Sequence, residues 1–302
     1  MRALALALLL PGAAEALDLN EAICREHLFA LDGLLRVESG GDVGASPDGW
    51  CEARAFSVVR RDGQGDFAFE AAADLLRWRG PGLAGLANGS AAFAAAEVEV
   101  RGFRVLPSRT DDELHDLLLA AQAAGRGLDG TLWLSWDGTA LRLDVALTGE
   151  GADALSLGLS LAGLDLSSED AARATLGDAA LTGLSLRATL DGLFEDHLLV
   201  PLGAWALRSV PPDLPYDAAA SYLRKEALTE ARDLPAAIFP DGATDALAAL
   251  VADLPRPRGA LSLEVTAPEG LPLADLAGLP GAREAADVTR ALEGATVRAA
   301  WD

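Results

Sequence analysis

From Leu128 to Leu193 the chain repeatedly alternates apolar residues with small or polar ones. Leu128 to Trp136 and Thr139 to Leu147 flank Asp137-Gly138, a short and specific hairpin signal. Ala154 to Leu166 sets Leu against Ser, Gly, Ala and Asp, and Ala180 to Leu193 repeats the pattern. The tripeptide Leu-Ser-Leu occurs at 155–157, 159–161, 184–186 and 261–263. This is one kind of strand used again, without the fixed period of a solenoid. Side chains on a strand point to opposite faces in turn, so each segment has one apolar flank and one wet flank.

The flanking regions read as follows. Residues 17–109 are mixed and mostly β. His27 to Ser39, with Leu28, Leu31, Leu34, Leu35 and Val37, fits either helix or strand, and Gly40 to Gly49 has loop composition. Ala53 to Arg60 and Asp66 to Ala72 flank a hairpin turn at Asp62-Gly63-Gln64-Gly65. Glu97 to Leu106 alternates through Val98, Val100, Phe103 and Val105. Residues 110–125 form the clearest helix. Thr110 and Glu113 make a capping box, Leu114, Leu117, Leu118 and Ala121 form the apolar stripe, and Gly125 ends it. Prolines punctuate 201–258 around two short helices, Asp217 to Arg232 and Asp241 to Asp253. Strand Ala260 to Thr266, helix Gly281 to Glu293 and strand Ala295 to Trp301 close the chain. The expected fold is α+β: a predominantly antiparallel, curved sheet with a few short helices on one side or capping an end. The expected segments are 1–16, 17–110, 111–200, 201–258 and 259–302.

Residues 1–16 have the grammar of a secretory signal peptide: Arg2, an Ala/Leu run from Ala3 to Leu10, Pro11-Gly12, then Ala14-Glu15-Ala16. The run is too short to span a bilayer, which takes about 20 residues. Leu17 stands where a lipoprotein would carry Cys. High Ala, Arg, Gly and Asp usage, with Lys225 the lone lysine, is the composition of a GC-rich bacterial genome. Periplasm or exterior is therefore the expected location. Hydrophobic residues are 51% of the chain, ample for a core. A formal charge of −22 argues against nucleic-acid binding and against docking on anionic lipid by bulk charge. Cys24 and Cys51 are the two cysteines, and an oxidising compartment favours their pairing. Closing that loop stabilises the fold by about 3 kcal/mol. Only His27 lies near as an alternative ligand partner.

Candidate chemistry is sparse. Gly80-Pro81-Gly82-Leu83-Ala84-Gly85 matches GxGxxG literally, but Asn88-Gly89 follows where a helix should open, so it reads as a Gly-rich loop. Asn88-Gly89-Ser90 also fits a glycosylation sequon, a coincidence in a bacterial chain. Asp111, Asp112, His115 and Asp116 cluster on the first turns of a helix, where Asp111 or Asp112 with His115 could share a face and ligate a metal, but capping and the helix dipole already explain an acidic helix start with one exposed His. Glu195, Asp196 and His197 could supply a general base, but adjacent residues in an extended segment diverge. There is no Gly-x-Ser-x-Gly elbow and no His-Glu-x-x-His. Any His mechanism must use His27, His115 or His197. Of Trp50, Trp78, Trp133, Trp136, Trp205 and Trp301, parity puts Trp133 and Trp136 on opposite faces of one strand. One of them can be core and the other can meet solvent or a ligand.

The Leu-alternating runs Ala154 to Leu193 and Gly259 to Asp302, behind a secretion signal, resemble the β-rich periplasmic proteins of the AsmA-like class, including uncharacterised alphaproteobacterial families. The resemblance covers about a third of the chain and carries over no site residue. Members often have a membrane anchor, which this chain lacks after leader removal. The resemblance implies an elongated, curved sheet with an apolar concave side, in a class associated with envelope lipid handling. The leading expectation is a non-enzymatic protein without cofactor or metal, binding a lipid or other apolar small molecule on a sheet face. An adaptor that binds an envelope protein through a sheet edge or 201–258 is the second. A secreted hydrolase with an unrecognised site is the third.

Overall fold

The computed structural model describes residues 19–35, 37–61, 67–80, 83, 93–106, 127–149, 154–190, 192–195, 199, 210, 214–240, 242–276 and 285–302. The described strands form one ten-stranded sheet whose spatial order is the order in the chain, each strand antiparallel to the next. They are β1 (Glu38–Ala45), β2 (Cys51–Arg61), β3 (Phe67–Arg79), β4 (Ala95–Leu106), β5 (Leu128–Trp136), β6 (Ala140–Thr148), β7 (Ala154–Ala162), β8 (Ala180–Thr189), β9 (Ala260–Pro272) and β10 (Thr296–Trp301). β1 and β10 are its two edges. The described α-helices are α1 (Glu21–Leu35), α2 (Glu169–Thr175), α3 (Tyr216–Asp233), α4 (Ala243–Asp253), α5 (Leu273–Leu276) and α6 (Ala285–Ala291). None of the described helices is long and apolar enough to cross a membrane.

The β5–β6 hairpin forms where Asp137-Gly138 predicts it. Gly138 adopts φ +95°, and Asp137 Oδ1 accepts from Thr139 N (3.0 Å), Thr139 Oγ1 (2.7 Å) and Ala140 N (2.9 Å). These donors hold the exposed Asp137 carboxyl down at about 2, the Ala140 amide contributing most. The β2–β3 hairpin also forms, pairing Arg61 with Phe67, although its turn at 62–66 lies outside the described residues. The ambiguous segment from His27 resolves into helix to Leu35. Asn20 Oδ1 caps α1 by accepting from Ile23 N at 3.1 Å.

Three sequence expectations change. Gly40 to Ala45 is edge strand β1, not loop; only Ser46 to Trp50 forms the connection. An edge strand pairs on one side alone, so its glycines and exposed Asp42 are tolerated. β7 stops at Ala162 and β8 at Thr189, short of Leu166 and Leu193. The gap between them holds an unforeseen helix, α2, capped by Ser168 Oγ accepting from Ala171 N at 3.1 Å. Helix α6 is described only over Ala285–Ala291, within the longer helix read from Gly281 to Glu293. The predicted helix at 110–125 lies outside the described residues.

Strand phase slips where the sheet needs it. In β4, Val98 and Val100 align with Leu132 and Gly130, but Phe103 aligns with Leu128, so one residue is gained across Arg101-Gly102. Gly102 has φ +63°, and a Cβ there would strike the Asp74 side chain, so glycine is required at this bulge. A second slip between Leu181 and Gly183 of β8 keeps Leu181, Leu184 and Leu186 in line with Leu161, Leu159 and Leu157.

Three buried clusters hold the sheet. The first joins Leu161, Leu181, Val265, Leu271 and Val297 to Ile238, Phe239 and Ala243. The second joins Cys24 and Leu28 of α1 to Val43, Cys51, Ala53, Trp78 and Ala96. The third joins Leu128 and Ala188 to Leu190, Leu193 and Phe194, with Leu250, Leu254, Leu261 and Trp301 against it. The terminal strand is tied in on both sides: Val297 N donates to Ile238 O (2.7 Å), and Asp302 exchanges backbone bonds with Ala260 (3.1 and 3.2 Å).

Candidate functional site

The register of the ten strands turns the Leu alternation into rows that run across the sheet. Cys51, Trp78, Val98, Leu132, Val145, Leu157, Leu186, Leu263 and Ala299 are successive partners from β2 to β10. A second apolar row passes through Leu134, Leu143, Leu159, Leu184, Val265 and Val297. Partners in adjacent antiparallel strands share a face, so these rows form one apolar surface.

Leu159, Leu184 and Leu263 pack against the first cluster, Leu134 against the second, and Leu147, Leu155 and Leu261 against the third. Leu132, Leu143, Val145, Leu157 and Leu186 belong to none of the three clusters of described residues and are partly exposed. They form a contiguous strip over β5–β8, bordered by the clusters. It has the chemistry of a floor for an apolar chain: branched aliphatic side chains without a titratable group among them.

The opposite face is polar. Its rows include Glu52, Arg77, Glu99, Thr131, Ala146, Ser156, Arg187, Ser262 and Ala300. Arg77 lies 3.4 Å from Glu99 and 2.5 Å from Asp48. The hydrogen bond from Arg77 and, more strongly, that from Ser46 hold the Asp48 carboxyl below the usual carboxylate range. Arg77 and Arg79 place their guanidinium carbons 4.8 and 4.2 Å from the Trp50 ring centroid. This is a structural stack, since Trp50 is buried.

The residues singled out in the sequence are dispersed. Cys24 and Cys51 form a buried disulfide, Cα to Cα 5.4 Å, which staples α1 to the start of β2. His27 is buried beside it, Nδ1 3.9 Å from Cys51 Sγ, and its Nε2 has no hydrogen-bond partner among the described residues. Burial pushes the His27 pKa below the ordinary imidazole value against the opposing pull of Glu26. Glu195 pairs with Arg258 at 3.6 Å, while Asp196 and His197 lie outside the described residues, as do Asp111, Asp112, His115, Asp116 and Trp205. Gly80 follows β3, where a Cβ would meet Ala95 O, and most of the Gly-rich stretch after it is outside the described residues. Among the described residues no three His, Cys, Asp or Glu side chains are placed to hold a metal. Trp78 is buried, Trp136 donates from Nε1 to Leu164 O (3.1 Å) and Trp301 donates to Asp253 Oδ2 (2.8 Å). Trp133, on the face opposite Trp136, is exposed.

Sequence reasoning did not isolate the strip. Alternation gave its residues the right flank, but which residues of that flank join the described clusters depends on where Ile238, Phe239, Leu193 and Phe194 pack. No protein-family model matches the chain, and no curated protein matches it.

Proposed function

We propose that the protein is an exported, non-enzymatic binding protein that holds the acyl chain of a lipid, or a similar apolar molecule, on the apolar sheet face in the service of envelope maintenance. The observation that carries this reading is the strip Leu132, Leu143, Val145, Leu157 and Leu186, apolar, contiguous and outside the clusters that hold the sheet. Export is supported by the leader-like residues 1–16 and by the Cys24–Cys51 disulfide, which belongs to an oxidising compartment. The AsmA-like resemblance supports an α+β fold with a curved sheet, apolar on its concave side.

A chain laid across Leu132, Val145, Leu157 and Leu186 crosses three strand spacings, about 14 Å. Roughly ten methylenes removed from water give about 8 kcal/mol before association costs of at least about 4 kcal/mol. The net of at most about 4 kcal/mol corresponds to a dissociation constant of about 1 mM for this segment of chain alone. Native mass spectrometry of protein recovered from periplasm tests the proposal, together with titration of a fluorescent fatty acid. The expected result is a co-purified mass or saturable uptake that Leu157→Glu abolishes. Protein that always flies ligand-free and takes up no fatty acid overturns it.

A further inference from the structure

We propose that the polar face carries a second, separate binding site: a platform for a neutral glycan centred on Trp133. Three large hydrophobic side chains are exposed among the described residues: Phe29, Leu176 and Trp133. Single exposed apolar residues are ordinary. Trp133 differs from the other two in its setting. It stands in a strand with a neighbour on each side, 47% exposed, on a face otherwise made of polar and small residues.

Its row runs Arg79, Glu97, Trp133, Asp144, Gly158, Ser185, Glu264, Arg298 from β3 to β10. On one side of the indole, Glu97 is already held by Arg79 (2.6 Å). At the far end Glu264 lies 3.8 Å from Arg298. Asp144, directly across from Trp133, has no ion-pair partner among the described residues. Beyond it stands Gly158. A Cβ at Gly158 would sit 2.7 Å from Ser185 Oγ and 3.3 Å from Asp144 Oδ1, so a carboxylate and a hydroxyl lean together over this glycine's backbone, one strand from an exposed aromatic ring.

That arrangement suits a pyranose. A sugar ring offers a face of C–H groups to an indole and hydroxyls at its edge to an acceptor and a hydroxyl. One strand spacing, about 4.8 Å, is close to the length of a sugar unit, so successive rings lying across the strands meet Trp133, then Asp144 and Ser185. The charge pattern selects against a phosphorylated or sulfated ligand: the unpaired group is a carboxylate, on a chain of net charge −22. The site shares no side chain with the apolar strip and stands independently of the acyl-binding proposal.

Affinity electrophoresis through soluble cellulose, chitin and mixed-linkage glucan derivatives, backed by calorimetry with a hexasaccharide of each, tests the platform. The expected result is retardation by at least one of them. Trp133→Ala should weaken binding by about tenfold or more, Trp133→Tyr should keep part of it, and Asp144→Asn should weaken it without a salt dependence. Circular dichroism and fatty-acid uptake should stay unchanged in all three, because Trp133 and Asp144 are exposed and face away from the strip. Wild-type protein that ignores every polysaccharide overturns the proposal. So does binding unchanged in Trp133→Ala, or salt-sensitive capture of polylysine in place of the glycans, which would assign the indole to cationic partners.

Discussion

Truncating one leucine in the strip and one in the core separates an accessible floor from a sealed interior. Leu181 is 4% exposed among Ile238, Phe239, Val265 and Leu271, so Leu181→Ala loses the transfer energy of its side chain and leaves a cavity, costing about 3 kcal/mol. Leu157 is partly exposed and outside the described clusters, and if the strip is an open floor, as proposed, solvent fills the space it vacates and no cavity term arises. Three carbons at about 0.8 kcal/mol each, discounted for partial exposure, give about 1.5 kcal/mol for Leu157→Ala. Urea unfolding followed by circular dichroism measures both, with equal m-values as the check that the denatured state is unchanged. The ligand assay should invert the order: Leu157→Ala weakens fatty-acid binding by about tenfold and Leu181→Ala leaves it within about twofold. A Leu157→Ala cost equal to that of Leu181→Ala, with fatty-acid binding unaffected, would refute the reasoning, because the strip would then be closed core.

Three further outcomes are expected. Reducing the Cys24–Cys51 bridge, which joins residues 27 positions apart, should lower unfolding stability by about 3.5 kcal/mol, measured as the shift in urea midpoint with and without reductant after thiol titration confirms reduction. His27 is neutral in the fold and has a depressed pKa, so below the unfolded value of 6.5 only the unfolded chain gains the proton; stability should fall with pH from there and level off beneath the folded value. Thermal melts across that window, compared with His27→Phe, should show the slope vanish in the variant. Asp137 works at lower pH: its turn bonds stabilise the fold above the ordinary carboxyl value of 3.8 and are lost as pH falls through about 2. Acid titration should show Asp137→Ala less stable at neutral pH and level with wild type once the Asp137 carboxyl of the wild-type chain is protonated.

Period-2 alternation carried most of the sheet. β5 to β8 lie within Leu128 to Leu193, and β9 starts at Ala260 as read but runs on past Thr266 to Pro272; each strand has one buried flank and the pattern reports that flank directly. β1 was hidden because an edge strand with Gly40, Gly41 and Gly44 has little side chain to alternate. Helix α2 was hidden by length: seven residues carry too few apolar repeats to register, though Ser168 ahead of Glu169 and Asp170 was a start signal. For the candidate sites, parity placed Trp133 and Trp136 on opposite faces. Neither the exposed strip nor the convergence of Asp144 and Ser185 over Gly158 was legible, since both depend on cross-strand register fixed far away in sequence.

That register couples the two faces. The apolar row through Leu132, Val145, Leu157, Leu186 and Leu263 and the polar row through Trp133, Asp144, Gly158, Ser185 and Glu264 are offset by one residue in every strand. A one-residue slip at any pairing would exchange them, placing an indole and carboxylates against the clusters and leucines in water. Slips are blocked by two contacts at the turn end of the β5–β6 hairpin. The Asp137 turn fixes its closed end. Trp136 anchors β5 from the apolar side through its bond to Leu164 O, and the three-residue step back to Trp133 then forces that ring to the other face. The two proposed ligands would therefore lie on opposite sides of a single sheet, aligned by the same hydrogen-bond ladder and touching none of the same side chains. Occupancy of one side should leave affinity on the other unchanged, since a ligand that moves no strand gives the opposite face nothing to respond to.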